Sequence, residues 1–152
     1  MRFIIALALL LSFPALADIT GPAQVVNADT LDLGGKRIRL HGIDALEAKQ
    51  VCWDKTARWK CGEQATAALK GLIGTAEIRC AERGVDRIKQ IIAVCYLGKI
   101  NLSAWLVSQG WAIAFRRDSD AYNKQEDAAH AAGLGMWQSQ FVMPWLWRRN
   151  HR

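Results

Sequence analysis

The sequence predicts an α+β domain, a small closed β-barrel with helices packed on it, and three observations predict it. Val25, Leu31, Leu33, Ile38 and Leu40 alternate with polar residues on either side of Gly34-Gly35, the pattern of a half-buried hairpin. Ala65, Ala68, Leu69 and Leu72 recur at helical spacing, and two further helices are marked downstream. Glu77 to Ala81 and Ile91 to Leu97 read as strands around the charged turn Glu82 to Arg87. Strands in meander order with helices between them suit a barrel with helices packed against it.

Taken in order, the chain opens on a segment that is read as separate from the domain. Met1-Arg2 is basic, Phe3 to Leu11 is apolar, and Ala15-Leu16-Ala17 has the small-x-small pattern of a cleavage site. This predicts a secretory signal peptide over residues 1–17, cut after Ala17, and a single domain over 18–152. The apolar run is short for a membrane span, and Pro14 favours cleavage over anchoring. The exported product is read as soluble, outside the membrane, in the periplasm or beyond the cell.

Residues 48–60 read as a polar loop with Trp53 and Trp59, and residues 62–73 as the first helix. Asn101 is a good N-cap for a second helix through Leu102, Trp105 and Leu106, which Gly110 ends. Trp111 to Phe115 is a short strand, and an alanine-rich helix runs from about Asp120 to Ala132. The tail carries Trp137, Phe141, Trp145 and Trp147, then Arg148-Arg149. So many tryptophans left exposed would form an association patch, so the tail is expected to dock on the body. The two paired arginines, Arg116-Arg117 and Arg148-Arg149, suit phosphates but at element ends usually carry solvated charge.

The chain has a formal net charge of +6. Without residues 1–17 it keeps 19 basic residues against 14 acidic, or +5. Such a domain is attracted to polyanions: nucleic acid, anionic polysaccharide or an anionic envelope. Cys52, Cys61, Cys80 and Cys95 are even in number and allow three pairings, of which Cys52–Cys61 and Cys80–Cys95 are the local ones and the ones expected. A four-thiolate zinc site would need two close cysteine pairs, which are absent from the sequence.

The chemistry concentrates between Asn27 and Glu47. Folding the hairpin brings Asp29 back towards Asp44 and Glu47, with Arg39 in the strand between them. Three carboxylates and one guanidinium are costly to gather unless a cation or an anionic substrate joins them. Hard oxygen donors with no imidazole or thiolate suit Ca²⁺ or Mg²⁺, and Ala45 is placed to add a backbone carbonyl. Glu47 is then a candidate general base, and Arg39 a planar partner for phosphate. For any one of these acids alone, a solvated turn residue would be the ordinary explanation. His41, His130 and His151 have no evident catalytic partner in sequence.

Ala28-Asp29-Thr30, the Arg39-Leu40 strand, Asp44-x-x-Glu47, Gly62-Glu63-Gln64-Ala65 and Asp86-Arg87 occur in an order that resembles the staphylococcal nuclease (thermonuclease) family. Leu106-Val107-x-x-Gly110-x-Ala112 and Gly135-x-Trp137 extend the resemblance over essentially the whole domain, and the cysteines and tail resemble a compact secreted bacterial branch. The resemblance implies an OB-fold, a five-stranded barrel with three α-helices, and Ca²⁺-dependent hydrolysis of phosphodiester bonds in DNA and RNA by a monomer. It implies Asp29 and Asp44 as metal ligands beside Ala45, Glu47 as the base, and Arg39 as the first of two catalytic arginines.

The departures from the family pattern are specific. The second catalytic arginine is Gln90, and the neighbouring Lys89, read as a strand residue, should point away. Arg87 or Arg83 is a candidate to reach in from the turn, and Phe115 with Arg117 stands where the family's namesake has tyrosines at the substrate cleft. An outer acid of the metal loop is Asn27, and a loop proline is Leu46. A second reading is therefore a non-catalytic OB-fold module that binds an anionic polymer, as in exopolysaccharide (succinoglycan) biosynthesis.

Overall fold

In the computed structural model residues 18–151 are described, and the signal peptide expected over residues 1–17 lies outside them. Four short strands, β1 (Ile19–Pro22), β2 (Gln24–Asn27), β3 (Thr30–Leu33) and β4 (Lys36–Leu40), lead into β5 (Ile43–Ala45). The β3–β4 hairpin turns at Gly34-Gly35, whose φ values of 60° and 86° are open to glycine at no steric cost. Asp32 Oδ1 closes the turn by accepting from Gly35 N at 2.8 Å.

The long arms of the sheet are β8 (Glu77–Val85) and β9 (Ile91–Leu97), stapled by Cys80–Cys95 where the two residues face each other. The spatial order is β1-β8-β9-β4-β3-β2, with β10 (Ile100–Asn101) also paired to β9. All these pairings are antiparallel except β4 with β9, which run parallel. The result is a curled mixed sheet, a half-barrel of the OB type. Glu82 to Val85, read from sequence as part of a turn, belong to β8. A bulge between Glu82 and Gly84 lets them keep pairing as far as Ile91.

Helices α1 (Cys61–Ile73), α2 (Leu102–Ser108) and α3 (Asn123–Ala131) match the three expected ones in place. Asn101 caps α2 as its sequence position predicts, its Oδ1 accepting from Ala104 N at 3.1 Å. Ala65, Leu69 and Ile73 of α1 join Leu31, Ile38, Leu40, Ile78, Leu102 and Leu106 in the main core. The expected 48–60 loop instead holds a ribbon of β6 (Cys52–Trp53) and β7 (Arg58–Trp59) beside the Cys52–Cys61 disulfide. Leu46, Cys52, Cys61, Ile113 and Met136 form a second, smaller core, with Trp59, Trp137 and Phe141 packed on it.

The third layer comes from the tail. β11 (Ala112–Ala114) pairs with β5, a 3₁₀ turn spans Gly135–Gln138, and a fourth helix, α4, runs over Pro144–Asn150. Pro144 sits at the start of α4, where its missing N–H costs nothing. Trp53 Nε1 donates to Gln140 Oε1 at 2.9 Å and Trp59 Nε1 to Ser139 Oγ at 3.2 Å, so the ribbon's tryptophans hold the tail. Among the described residues no helix is long and apolar enough to cross a membrane.

Candidate active site

Asp29 follows the β2 bulge and is 6% exposed, a carboxylate that must be satisfied inside the protein. Its Oδ1 accepts from Thr30 Oγ1 at 2.9 Å and its Oδ2 from Ala45 N at 3.2 Å, while its carbonyl accepts from Leu40 N at 2.8 Å. The hairpin therefore does return Asp29 to the β5 strand. Asp44 lies on β5 opposite Ile113 of β11 and is fully buried. On the adjoining strand Arg39 pairs with Thr30 and Ile92, and its Nη2 is 3.6 Å from Asp44 Oδ1.

Glu47 is positioned by its backbone. Its N–H donates to Gln50 Oε1 at 3.2 Å and its carbonyl accepts from Gln50 N at 2.8 Å. Gln50 is itself buried and donates through Nε2 to the carbonyl of Val142, tying the Glu47 loop to the tail. The first turn of α1 presses on the same loop: a Cβ at position 62 would lie 1.8 Å from the Glu47 carbonyl oxygen. Only glycine fits there, which is a packing reason for Gly62 in the helix-opening motif.

The dominant partner of these acids is a residue read from sequence as solvated charge. Arg148, on α4, donates through Nη1 to Asp44 Oδ1 at 2.8 Å and through Nη2 to Asp44 Oδ2 at 2.9 Å, a bidentate pair. Nη1 also reaches Glu47 Oε1 at 2.8 Å. The hydrogen bonds to Asp44, then those to Glu47, raise the pKa of Arg148 above its usual value despite opposition from burial. Its charge is thus permanent. A sequence signal existed in the Arg148-Arg149 pair, but nothing local shows that a helix would carry it 104 residues back to Asp44.

The remaining candidates divide. Arg117 lines an open groove of about 570 Å³ with Phe115, Trp137, Trp145 and Arg148; Arg148 reaches both this groove and the acids, whereas Asp29, Arg39, Asp44 and Glu47 do not line it. Its neighbour Arg116 is engaged with Glu126 at 2.8 Å and Asp127 at 3.4 Å, and the Glu126 hydrogen bond raises its pKa. Arg87 is exposed on the β8–β9 turn and Arg83 faces a different pocket beside His41 and Tyr96. Neither makes an ion pair with the three acids. Gln90 and Lys89 are turn rather than strand residues, so the strand alternation argument for Lys89 fails; Asp86 Oδ1 holds the turn by accepting from Ile88 N and Gln90 N, and Lys89 has φ 66°.

The curled sheet, flanking helices and strand-end acids define an α+β, OB-type domain of the staphylococcal nuclease kind. A model described as staphylococcal nuclease homologue matches residues 37–139, and the chain belongs to that family. The chain is 32% identical over 133 residues to the succinoglycan biosynthesis protein ExoI of Rhizobium meliloti (strain 1021), covering 83% of this chain and 68% of that protein. It is 30% identical over 137 residues to an uncharacterized endonuclease of Haemophilus influenzae (strain ATCC 51907 / DSM 11121 / KW20 / Rd), covering 85% and 72%.

Family members are usually nucleases and typically Ca²⁺-dependent. Asp29 and Asp44 are hard donors of the right kind for that ion. In the arrangement described, however, both Asp44 oxygens accept from Arg148, and both Asp29 oxygens accept from protein donors. Among the described residues no three His, Cys, Asp or Glu side chains gather as a ligand set. With Arg148 seated, these residues do not fit a directly bound divalent ion.

Proposed function

We propose that the chain is an exported nuclease that hydrolyses phosphodiester bonds in DNA or RNA. The observation that carries this reading is the convergence of Asp44, Glu47 and Arg39 around one point. Arg148 Nη1 bridges Asp44 Oδ1 and Glu47 Oε1, and Arg39 approaches the same Asp44 oxygen. In this reading Glu47, 25% exposed at its side chain, takes a proton from the attacking water. Arg39, 30% exposed, faces the phosphate and offsets its growing negative charge. Arg117 and the tryptophans of the groove, which meets the acids through Arg148, receive the adjoining part of the polymer.

Calcium dependence, typical of the family, is the part of this proposal that a calcium series decides: Asp29, Asp44 and the Ala45 carbonyl are the donors present, and both Asp44 oxygens are held by Arg148. The two disulfides suit an extracytoplasmic compartment, and cleavage after Ala17 would deliver the chain there as a monomer. The test is cleavage of DNA and RNA by the purified, oxidised protein across a calcium series, with Glu47→Gln beside it. Calcium-dependent cleavage lost in Glu47→Gln is the expected result. A folded protein that cuts neither polymer at any calcium concentration would end the reading.

A second reading, a polyanion-binding module without catalysis, is favoured by Gln90 in place of an arginine and by the closed Arg148–Asp44 pair. The similarity to a succinoglycan biosynthesis protein supports an anionic polysaccharide as its ligand. Retention of the folded, inactive protein on such a polysaccharide, released by salt, would select this reading.

A further inference from the structure

We infer that Arg148 is the second phosphate-binding guanidinium of the site, delivered by α4 in place of the arginine that Gln90 has lost. This rests on the nuclease reading and gives Arg148, there only the bridge between Asp44 and Glu47, a role toward the substrate. A guanidinium carries five N–H donors. Three are engaged: two on Asp44 and one on Glu47. The two left, Nε–H and the second Nη2–H, make no hydrogen bond among the described residues. They are adjacent on one edge of the plane, the fork that fits two oxygens of a phosphate.

The side chain is one-third exposed and lines the groove that also holds Arg117 and Trp145. Its Nη1 and one Nη2 donor face the acids, which leaves the Nε–Nη2 edge without a partner among the described residues. Asp44 and Glu47 therefore orient Arg148 as well as neutralise it, fixing a long flexible side chain before the phosphate arrives. Gln90 immediately precedes the parallel β4–β9 pairing, next to the Ile38–Ile91 pair, and lines a pocket with Lys36 and Arg37. Its role in charge stabilisation is thus taken over by a helix from the far end of the chain.

The test compares the parent, Arg148→Gln and Arg148→Lys in two assays. One measures cleavage of single-stranded DNA with and without calcium, with kcat and KM separated. The other measures calcium-free binding of a 12-nucleotide DNA. Melting curves identify any variant that is not folded; Arg148→Lys keeps a charge beside Asp44 and remains informative if Arg148→Gln unfolds. The expected result is a fall in kcat of roughly 10²-fold or more for Arg148→Gln, with partial recovery in Arg148→Lys, and about tenfold weaker DNA binding. If the parent cuts nothing but Arg148→Gln still loses the binding, the nuclease reading fails and the phosphate-binding role stands. Unchanged cleavage and binding in both folded variants would overturn the inference. So would faster cleavage by Arg148→Gln, which would make Arg148 a plug on the acids.

Discussion

Asp44 is the residue on which the site turns, because a fully buried carboxylate persists only when its charge is met at close range. Arg148 meets it with two hydrogen bonds and Arg39 adds a longer-range contribution. Asp44→Leu removes the charge and leaves two guanidinium groups facing each other, whereas Asp44→Asn keeps the shape. We expect Asp44→Asn to lose about 1.5–3 kcal/mol in urea unfolding, the worth of hydrogen bonds to a charged group. Glu47 is partly exposed and contributes less to stability. Glu47→Gln should leave the melting temperature nearly unchanged while lowering kcat by about 10²–10⁴-fold, the span of a lost general base. The charge of Arg148 itself adds no pH dependence near neutrality. Its folded pKa is raised, so its contribution is present below the unfolded value and is lost only under strongly alkaline conditions.

At the scale of elements, the Glu47 loop is gripped between α1 and the tail, and both grips are testable. Gly62→Ala places a methyl against the Glu47 carbonyl, and because the contact is backbone the strain has little outlet. A loss of about 1–3 kcal/mol is expected by chemical denaturation, with a fall in activity as Glu47 moves. The β8–β9 hairpin gains from its staple. Opening Cys80–Cys95, with a sequence separation of 15, removes about 3 kcal/mol in the loop-entropy account. In the β6–β7 ribbon the N–H groups of Thr56 first and Ala57 second hold the Asp54 carboxyl below its usual 3.8. A depressed acid stabilises above its unfolded pKa and stops doing so as pH falls through the folded one. The difference in melting temperature between the parent and Asp54→Ala should therefore be small at pH 6 and vanish towards pH 2.

Considered whole, the molecule is basic, with a formal net charge of +6, while its buried Asp44 and the nearby Glu47 are met by Arg148 and Arg39. A net positive charge favours association with polyanions in general, and under the proposed function the polymer would lie in the groove of Arg117 and Arg148. If about three phosphates are engaged, binding of single-stranded DNA should weaken with salt along a log–log slope of roughly −2. A much shallower slope would place the contacts elsewhere.

Much of this plan was legible in the chain because it is locally encoded. The Gly34-Gly35 hairpin, the Asn101 cap and the apolar spacing of α1 rest on interactions spanning a few residues, and they appear where expected. The two disulfides join near neighbours, and Asp29, Arg39, Asp44 and Glu47 lie within one hairpin and its exit. Other features have no local signature. The extension of β8 depends on a bulge matched to β9, and the form of residues 52–59 depends on Gln140 and Ser139 arriving from the tail. Arg148 is the clearest case. Its periodicity and neighbours describe a charged helix end, and only the return of α4 across the barrel makes it the partner of a carboxylate buried in β5. The sequence by itself determined the barrel, its staples and the acids. The tertiary structure decided which cation those acids hold, because charge pairing is a matter of distance in space and the chain order carries no record of it.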